Sequence, residues 1–178
     1  ILESFTDTKG EKRFFLTSKI PLSNKSGEII GLVGVGHDIT AQKQSEQKIN
    51  QLLNAIEQGP ASIVITDTKG NIEFVNSKFT EISGYQFDEV KGQNPRILQS
   101  GKTTFAEYQK LWDTIKSGNE FRSEILNKKK DGEFYWESIL VSPIRDEEGR
   151  IINFIAIKED ITNRKKSEHE IRTLSVAI

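Results

Sequence analysis

The chain has 178 residues, 35% of them hydrophobic and 29% charged, a composition of the globular class and long enough to bury a core without metal or disulfide staples. With 25 Lys and Arg against 26 Asp and Glu the net charge is −1, so no basic field argues for nucleic acid or an anionic membrane surface. The complete lack of cysteine excludes disulfides, Cys-ligated zinc, iron–sulfur clusters, thiol catalysis and any cysteinyl adduct within the chain.

The longest apolar runs, Ala61 to Ile65 and Ile151 to Ile157, fall far short of the ~20 residues of a membrane helix. The chain contains no methionine and opens on no signal peptide. It reads as an internal, cytoplasmic piece of a larger protein, with membrane anchoring of that parent left open.

Taken from the N-terminus, the first signal is a repeat. Residues Gly10 to Ile56 align without a gap on Gly132 to Ile178 at a constant offset of 122, with 16 of 47 positions identical. Among these are Gly10/Gly132, Pro21/Pro143, Gly27/Gly149 and the triplets Asp38-Ile39-Thr40 and Asp160-Ile161-Thr162. Four segments follow from this match: residues 1–40 as the closing strands of an upstream module, 41–56 as a linker helix, 57–162 as a complete module, and 163–178 as a second linker helix leading onward. On the same offset, residues 10 to 40 are expected to form three strands that superpose on residues 132 to 162.

The stretch AQKQSEQKINQLLNAI is polar, charged and free of Gly and Pro, which favours helix. Ile49, Leu52 and Ile56 fall at spacings of three and four, the a and d positions of a heptad seam, and Ile171, Leu174 and Ile178 do the same in the second linker. The expectation is a parallel homodimer through these helices. Asp38 and Asp160 stand where strand gives way to helix, with Thr40 and Thr162 available as caps.

In the complete module, apolar runs at Ser62 to Thr66 and Ile72 to Val75 flank the turn-rich Asp67 to Asn71 and read as a hairpin. Short helices are predicted over Ser77 to Ser83 and Phe87 to Val90, each followed by a glycine stop, Gly84 and Gly92. Phe105, Tyr108, Leu111, Trp112 and Ile115 share the face of a longer helix ended by Gly118. Three strands follow at Glu120 to Asn127, Glu133 to Ile144 and Ile151 to Lys158. The order predicts an α+β domain with a five-stranded antiparallel sheet and helices on one face.

The segments ASIVITDTKGNIEFVNSKFTEISGY, GQNPRILQSGKT, KKKDGEFYWESILVSPI and KEDIT together resemble the PAS family over residues 57 to 162. The resemblance implies a sheet cupping short helices around an interior cavity, and a sensory or dimerisation role upstream of a histidine kinase or diguanylate cyclase. It also implies that the Asp-Ile-Thr triplets couple the sheet to the outgoing helix. Gly92 to Gln99 is similar to the G-x-N-C-R-F-L-Q segment of the flavin-binding light-oxygen-voltage branch. By that resemblance Asn94, Arg96 and Gln99 would surround a flavin, FAD or FMN, and Asn127 would face its ring. A guanidinium suits a phosphate and amides suit the ring edge. Pro95 replaces the photoreactive cysteine, and two positions that are amides in that branch are Glu137 and Lys158 here.

If the last hairpin turns about Glu147-Glu148, Glu137 lies directly opposite Lys158 on one face. The pair is then either a pocket-facing ion pair, costly unless mutually satisfied, or an exposed pair at the sheet edge. An inward pair would leave little room for a flavin ring and favour a small polar ligand. The upstream copy has Phe15 and Gly36 at these positions, so the two copies cannot share one pocket chemistry.

Haem is disfavoured, since residues 57 to 162 hold no histidine and His37 and His169 lie outside them. Glu168 to Thr173 resembles the segment around a kinase phosphoacceptor histidine. Leu174 stands where a proline is expected, and the repeat sets His169 opposite Gln47 in an ordinary linker. Trp112 and Trp136 read as core or interface aromatics. With no nucleophile–base pair, metal cluster or phosphate-binding loop, the reading is a sensory module without catalysis of its own. Its rivals are a noncovalent flavin redox sensor and a ligand-free dimerisation spacer.

Overall fold

The structure is a computed structural model that describes residues 1–176, so Ile178 of the second predicted seam lies outside the described residues. The chain divides into two compact units, residues 1–54 and residues from 55 onward.

In the first unit, β1 (Leu2–Thr6), β2 (Lys12–Ser23) and β3 (Ile29–Asp38) form an antiparallel sheet in that order, and α1 (Thr40–Glu57) follows. Residues 10 to 40 thus supply two strands rather than the expected three. The third strand precedes them, at residues whose counterparts are 124 to 128. The sequence match faded there because Leu2 to Thr6 shares almost no residue with Glu124 to Lys128.

The second unit contains β4 (Ser62–Asp67), β5 (Ile72–Val75), α2 (Ser77–Ser83), α3 (Phe87–Val90) and α4 (Phe105–Lys116). After these come β6 (Phe121–Lys128), β7 (Phe134–Arg145), β8 (Ile151–Asp160) and α5 (Thr162–Val176). Its sheet is antiparallel throughout in the order β5-β4-β8-β7-β6, which puts the first and last strands of the module side by side at the centre. A 3₁₀ turn at Pro95–Leu98 was not expected; Asn94 caps it by accepting from the Arg96 N–H, and Pro95 sets its first dihedral.

Two apolar clusters hold this unit together. Val64, Ile72, Val75, Phe79, Val90 and Leu98 join the β4–β5 hairpin to the short helices. Ile115, Ile139, Val141 and Phe154 join α4 to β7 and β8. Each such side chain contributes roughly 1.5–3 kcal/mol on burial. Buried Asn76 links the pieces: its Oδ1 accepts from the Ile63 and Phe79 N–H groups, and its amide donates to the carbonyls of Ile56 and Ala61.

The two copies share one strand register. Phe15 pairs with Asp38 and Glu137 with Asp160, and both hairpins carry a bulge at the same repeat position, Leu22/Ser23 and Ile144/Arg145. This register corrects the expected pairing: Lys158 lies opposite Ile139, and Glu137 opposite Asp160. Two single-residue displacements add up to that result. Asp146 accepts from the N–H groups of Glu148 and Arg150, closing a five-residue loop centred on Glu148, and the bulge adds the second residue. A shift of two preserves side-chain parity, so Glu137 and Lys158 stay on one face as diagonal neighbours.

Candidate functional site

Between α4, the 3₁₀ turn and the concave face of the sheet lies a cavity of about 680 Å³. Its walls come from β4 (Val64, Thr66), the loop around the 3₁₀ turn, α4, and the inward positions of β6, β7 and β8. Alternation along β7 explains which side chains arrive there: Tyr135, Glu137, Ile139 and Val141 are all buried on the inner face. Of the sequence-predicted residues, Asn94, Arg96, Gln99, Asn127 and Lys158 line the cavity. Glu137 stands behind them, 2% exposed.

Glu137 anchors the floor. Its Oε2 accepts from Asn127 Nδ2 at 2.8 Å and from Lys158 Nζ at 2.9 Å, while Oε1 accepts from the Tyr135 hydroxyl at 3.2 Å. Lys158 is 6% exposed, so the pair belongs to the interior and not to an exposed sheet edge. Burial first, and then the adjacent Glu137 charge, push the Tyr135 hydroxyl well above the ordinary tyrosine range. The phenol therefore stays a neutral donor. The carboxylate and ammonium pair at the floor and do not fill the cavity above them, contrary to the expected shortage of room. The volume falls within the roughly 300–1,000 Å³ of ligand and cofactor sites.

Closer to the mouth the predicted residues have structural duties as well. Asn94 donates to the Gly70 carbonyl at 3.1 Å while capping the 3₁₀ turn. Gly70 has φ +88°, and a Cβ there would lie 2.6 Å from the Trp112 ring and 2.8 Å from Asn94 Nδ2. Gly70→Ala is therefore expected to lower stability by more than about 1 kcal/mol and to displace Trp112. Urea denaturation with tryptophan fluorescence reads both, and a parent-like curve would contradict the packing described. Arg96 and Gln99 are exposed at the rim.

Trp112, read from sequence as a core or interface aromatic, is a cavity wall that meets Phe154 edge-on at 6.0 Å. Phe105 and Tyr108, read from sequence only as members of one helix face, also line the cavity, as do Gln109 and Lys116, which escaped the sequence reading. The helical period showed which face of α4 turns inward; it could not show that this face borders open space. Trp136 is not among the lining residues and lies under the Lys165 ammonium, 5.4 Å from its ring centre.

The Asp-Ile-Thr triplets make the same contacts in both copies. The Asp38 carboxylate accepts from the Thr40 N–H, and Asp160 from the Thr162 N–H. The threonines do not cap the helices they open. Thr40 Oγ1 accepts from the Phe14 N–H and Thr162 Oγ1 from the Trp136 N–H, tying each helix start to the preceding strand. Hydrogen bonds from the Thr40 side chain and then its N–H hold the Asp38 carboxyl below its usual range. In the complete copy Arg164 and Lys165 also pair with Glu124 of β6 at 2.6 and 2.5 Å. The corresponding upstream position is Leu2.

The inner face of the upstream sheet has different chemistry. Phe5 and Phe15 stack at 5.3 Å where the complete copy has Asn127 and Glu137, and Gly36 replaces Lys158. Glu3 accepts from Thr17 and pairs with Lys19 where the complete copy has Ile125, Ile139 and Val141. On α1, Ile49 and Leu52 are 56% and 53% exposed and Ile56 is half-buried; on α5, Leu174 is exposed. Among the described residues no helix is long and apolar enough to cross a membrane.

Comparison with known proteins places this geometry. Residues 60–163 match the family model described as PAS domain, and residues 1–44 match one described as PAS fold. The chain is 30% identical over 138 residues to the bacterioopsin transcriptional activator of Halobacterium salinarum, covering 76% of this chain and 20% of that protein. The chain thus spans about a fifth of that relative. Among solved structures, an RNA-binding light-oxygen-voltage receptor superposes with a TM-score of 0.67 at 21% identity, over 91% of this chain and 43% of that one. The light-oxygen-voltage domain of a blue-light activated histidine kinase from Erythrobacter litoralis superposes with a TM-score of 0.54 at 30% identity, over 58% of this chain and 97% of that one. The chain belongs to the PAS domain family of sensory signal-transduction modules.

Proposed function

We propose that the chain is a ligand-sensing portion of a bacterial signalling protein with a histidine kinase or diguanylate cyclase output. Cavity occupancy is passed to α5 and onward through paired linker helices, and the chain performs no catalysis itself. The observation that carries this reading is the continuity from cavity to helix. Asn127 and Glu137 sit on β6 and β7, the two strands that hold the start of α5 through Glu124 and the Trp136 N–H. Exposed ion pairs of this kind are worth about 0–1 kcal/mol each, weak enough for a ligand to bias. A ligand-free spacer would have its pocket filled by side chains, and the open cavity speaks against that.

A side chain can stand in for a ligand in testing the coupling. Ala156→Phe adds a ring inside the cavity wall and is expected to change amide exchange over Thr162 to Lys166 while the fold persists by circular dichroism. Unchanged exchange there would contradict the coupling.

A noncovalent flavin is the second reading, favoured by the placement of Asn94, Arg96 and Gln99 on the wall. The volume admits the group; Arg96 would hold its phosphate, while Asn127 and Lys158 would face the ring edge in place of paired amides. A flavin would supply reversible redox chemistry. Freshly purified protein that is yellow, with flavin absorption bands, supports this reading, and a colourless preparation that stays so after incubation with FMN or FAD contradicts it.

A further inference from the structure

The first turns of α1 and α5 carry one charge pattern and two ion-pair arrangements. Lys43-Gln44-Ser45-Glu46 of α1 stands at the repeat positions of Lys165-Lys166-Ser167-Glu168 of α5. In α1 the lysine pairs along its own helix: Lys43 Nζ donates to Glu46 Oε2 at 2.8 Å, and Gln42 Nε2 donates to Glu46 Oε1 at 3.1 Å. In α5 the counterparts of Gln42 and Lys43, Arg164 and Lys165, turn instead to Glu124 of β6 at 2.6 and 2.5 Å. Glu168 is left 3.9 and 4.0 Å from them. The difference follows from the sheet, where Leu2, at the position of Glu124, offers α1 no acceptor.

We infer that Glu124 and Glu168 compete for Arg164 and Lys165, so that α5 has two states: sheet-bound, as it stands here, and self-paired, as α1 stands. The second state is within reach of the backbone, because Lys43 and Glu46 adopt it at the same spacing of three residues. All four side chains are partly exposed, and an exposed pair to a strand and a pair along a helix are of similar, small strength. Leaving Glu124 therefore strands neither cation, and a modest bias moves the population. Lys165 Nζ lies 5.4 Å from the centre of the Trp136 ring in the sheet-bound state, so the indole reports which state is occupied. The inference rests on the reading of α5 as the output helix. Its test leaves the cavity untouched: Ala156→Phe decides the coupling, and the variants below decide the exchange of partners.

Glu124→Gln and Glu168→Gln are compared with the parent by amide hydrogen exchange over Lys165 to Ser167, where the Lys165 N–H donates to the Ile161 carbonyl. The indole N–H resonance of Trp136, assigned with Trp136→Phe, is followed in parallel. Glu124→Gln is expected to speed exchange about twofold by removing the sheet-bound state, and Glu168→Gln to slow it by about as much by removing the rival acceptor. The Trp136 resonance should move in opposite senses in the two variants. A Glu168 that merely supported its helix would give the reverse sign, since deleting a pair along a helix frays its end. Exchange that is unchanged or faster in Glu168→Gln, exchange that is unchanged in Glu124→Gln, or Trp136 shifts of the same sense in both, would each overturn the competition.

Discussion

Replacing Glu137 with Leu, or Lys158 with Met, is expected to destabilise the domain by ~3–5 kcal/mol in each case, the range for stranding one member of a buried ion pair. Both side chains are almost fully enclosed, and their contact is 2.9 Å. Removing Glu137 also leaves the Asn127 amide and the Tyr135 hydroxyl without the acceptor they share. The double variant should recover much of the loss, since an apolar pair of similar volume needs no desolvated charge, but the two neutral donors keep the recovery incomplete. Chemical denaturation of both singles and the double provides the cycle. Singles within about 1 kcal/mol of the parent would mean that the pair is solvated and would remove it from the site.

Leu52→Asp in α1 is expected to raise the dissociation constant of a dimer at least a hundredfold, about 3 kcal/mol, by placing a carboxylate in the seam. Ile49 and Leu52 lie more than half exposed on the single chain, at heptad spacing with Ile56. A parallel partner helix is the simplest cover for such a stripe. Sedimentation velocity of parent and variant across a concentration series measures the change. Identical behaviour of the two would contradict pairing through this seam.

Much of the fold was legible because local signals agreed: the hairpins, the glycine stops and the period of α4 each pointed to the observed element. Two features escaped for identifiable reasons. The register of the last hairpin depends on the loop after Asp146, and the signal that fixes it was present four times. Asp7, Asn24, Asp67 and Asp146 each accept from the N–H groups two and four residues on, each with a glycine three residues on. Recognised as one turn, this pattern would have centred the loop on Glu148. The bulge beyond it has no sequence mark apart from its recurrence in the repeat. The first strand escaped because an edge strand needs only alternation and pairing, and Leu2–Thr6 shares almost no residues with its counterpart.

The candidate site was legible as a set of residues but less so as chemistry. Asn94, Arg96, Gln99, Asn127 and Lys158 reach the cavity because a shared motif and strand parity place them there. The saturation of Glu137 by three donors depends on Tyr135, two residues away on the same face, whose role emerges only once the strand is paired and buried. The open volume also depends on how far α4 stands from the sheet, a distance that no local pattern encodes.

Native mass spectrometry of protein purified without denaturation tests most directly the proposed occupancy of the cavity by a small molecule. Occupancy predicts a native mass above that of the chain, with the excess lost on denaturation. A native mass equal to the denatured one, together with crystallographic density showing side chains filling the space between α4 and the sheet, would contradict it.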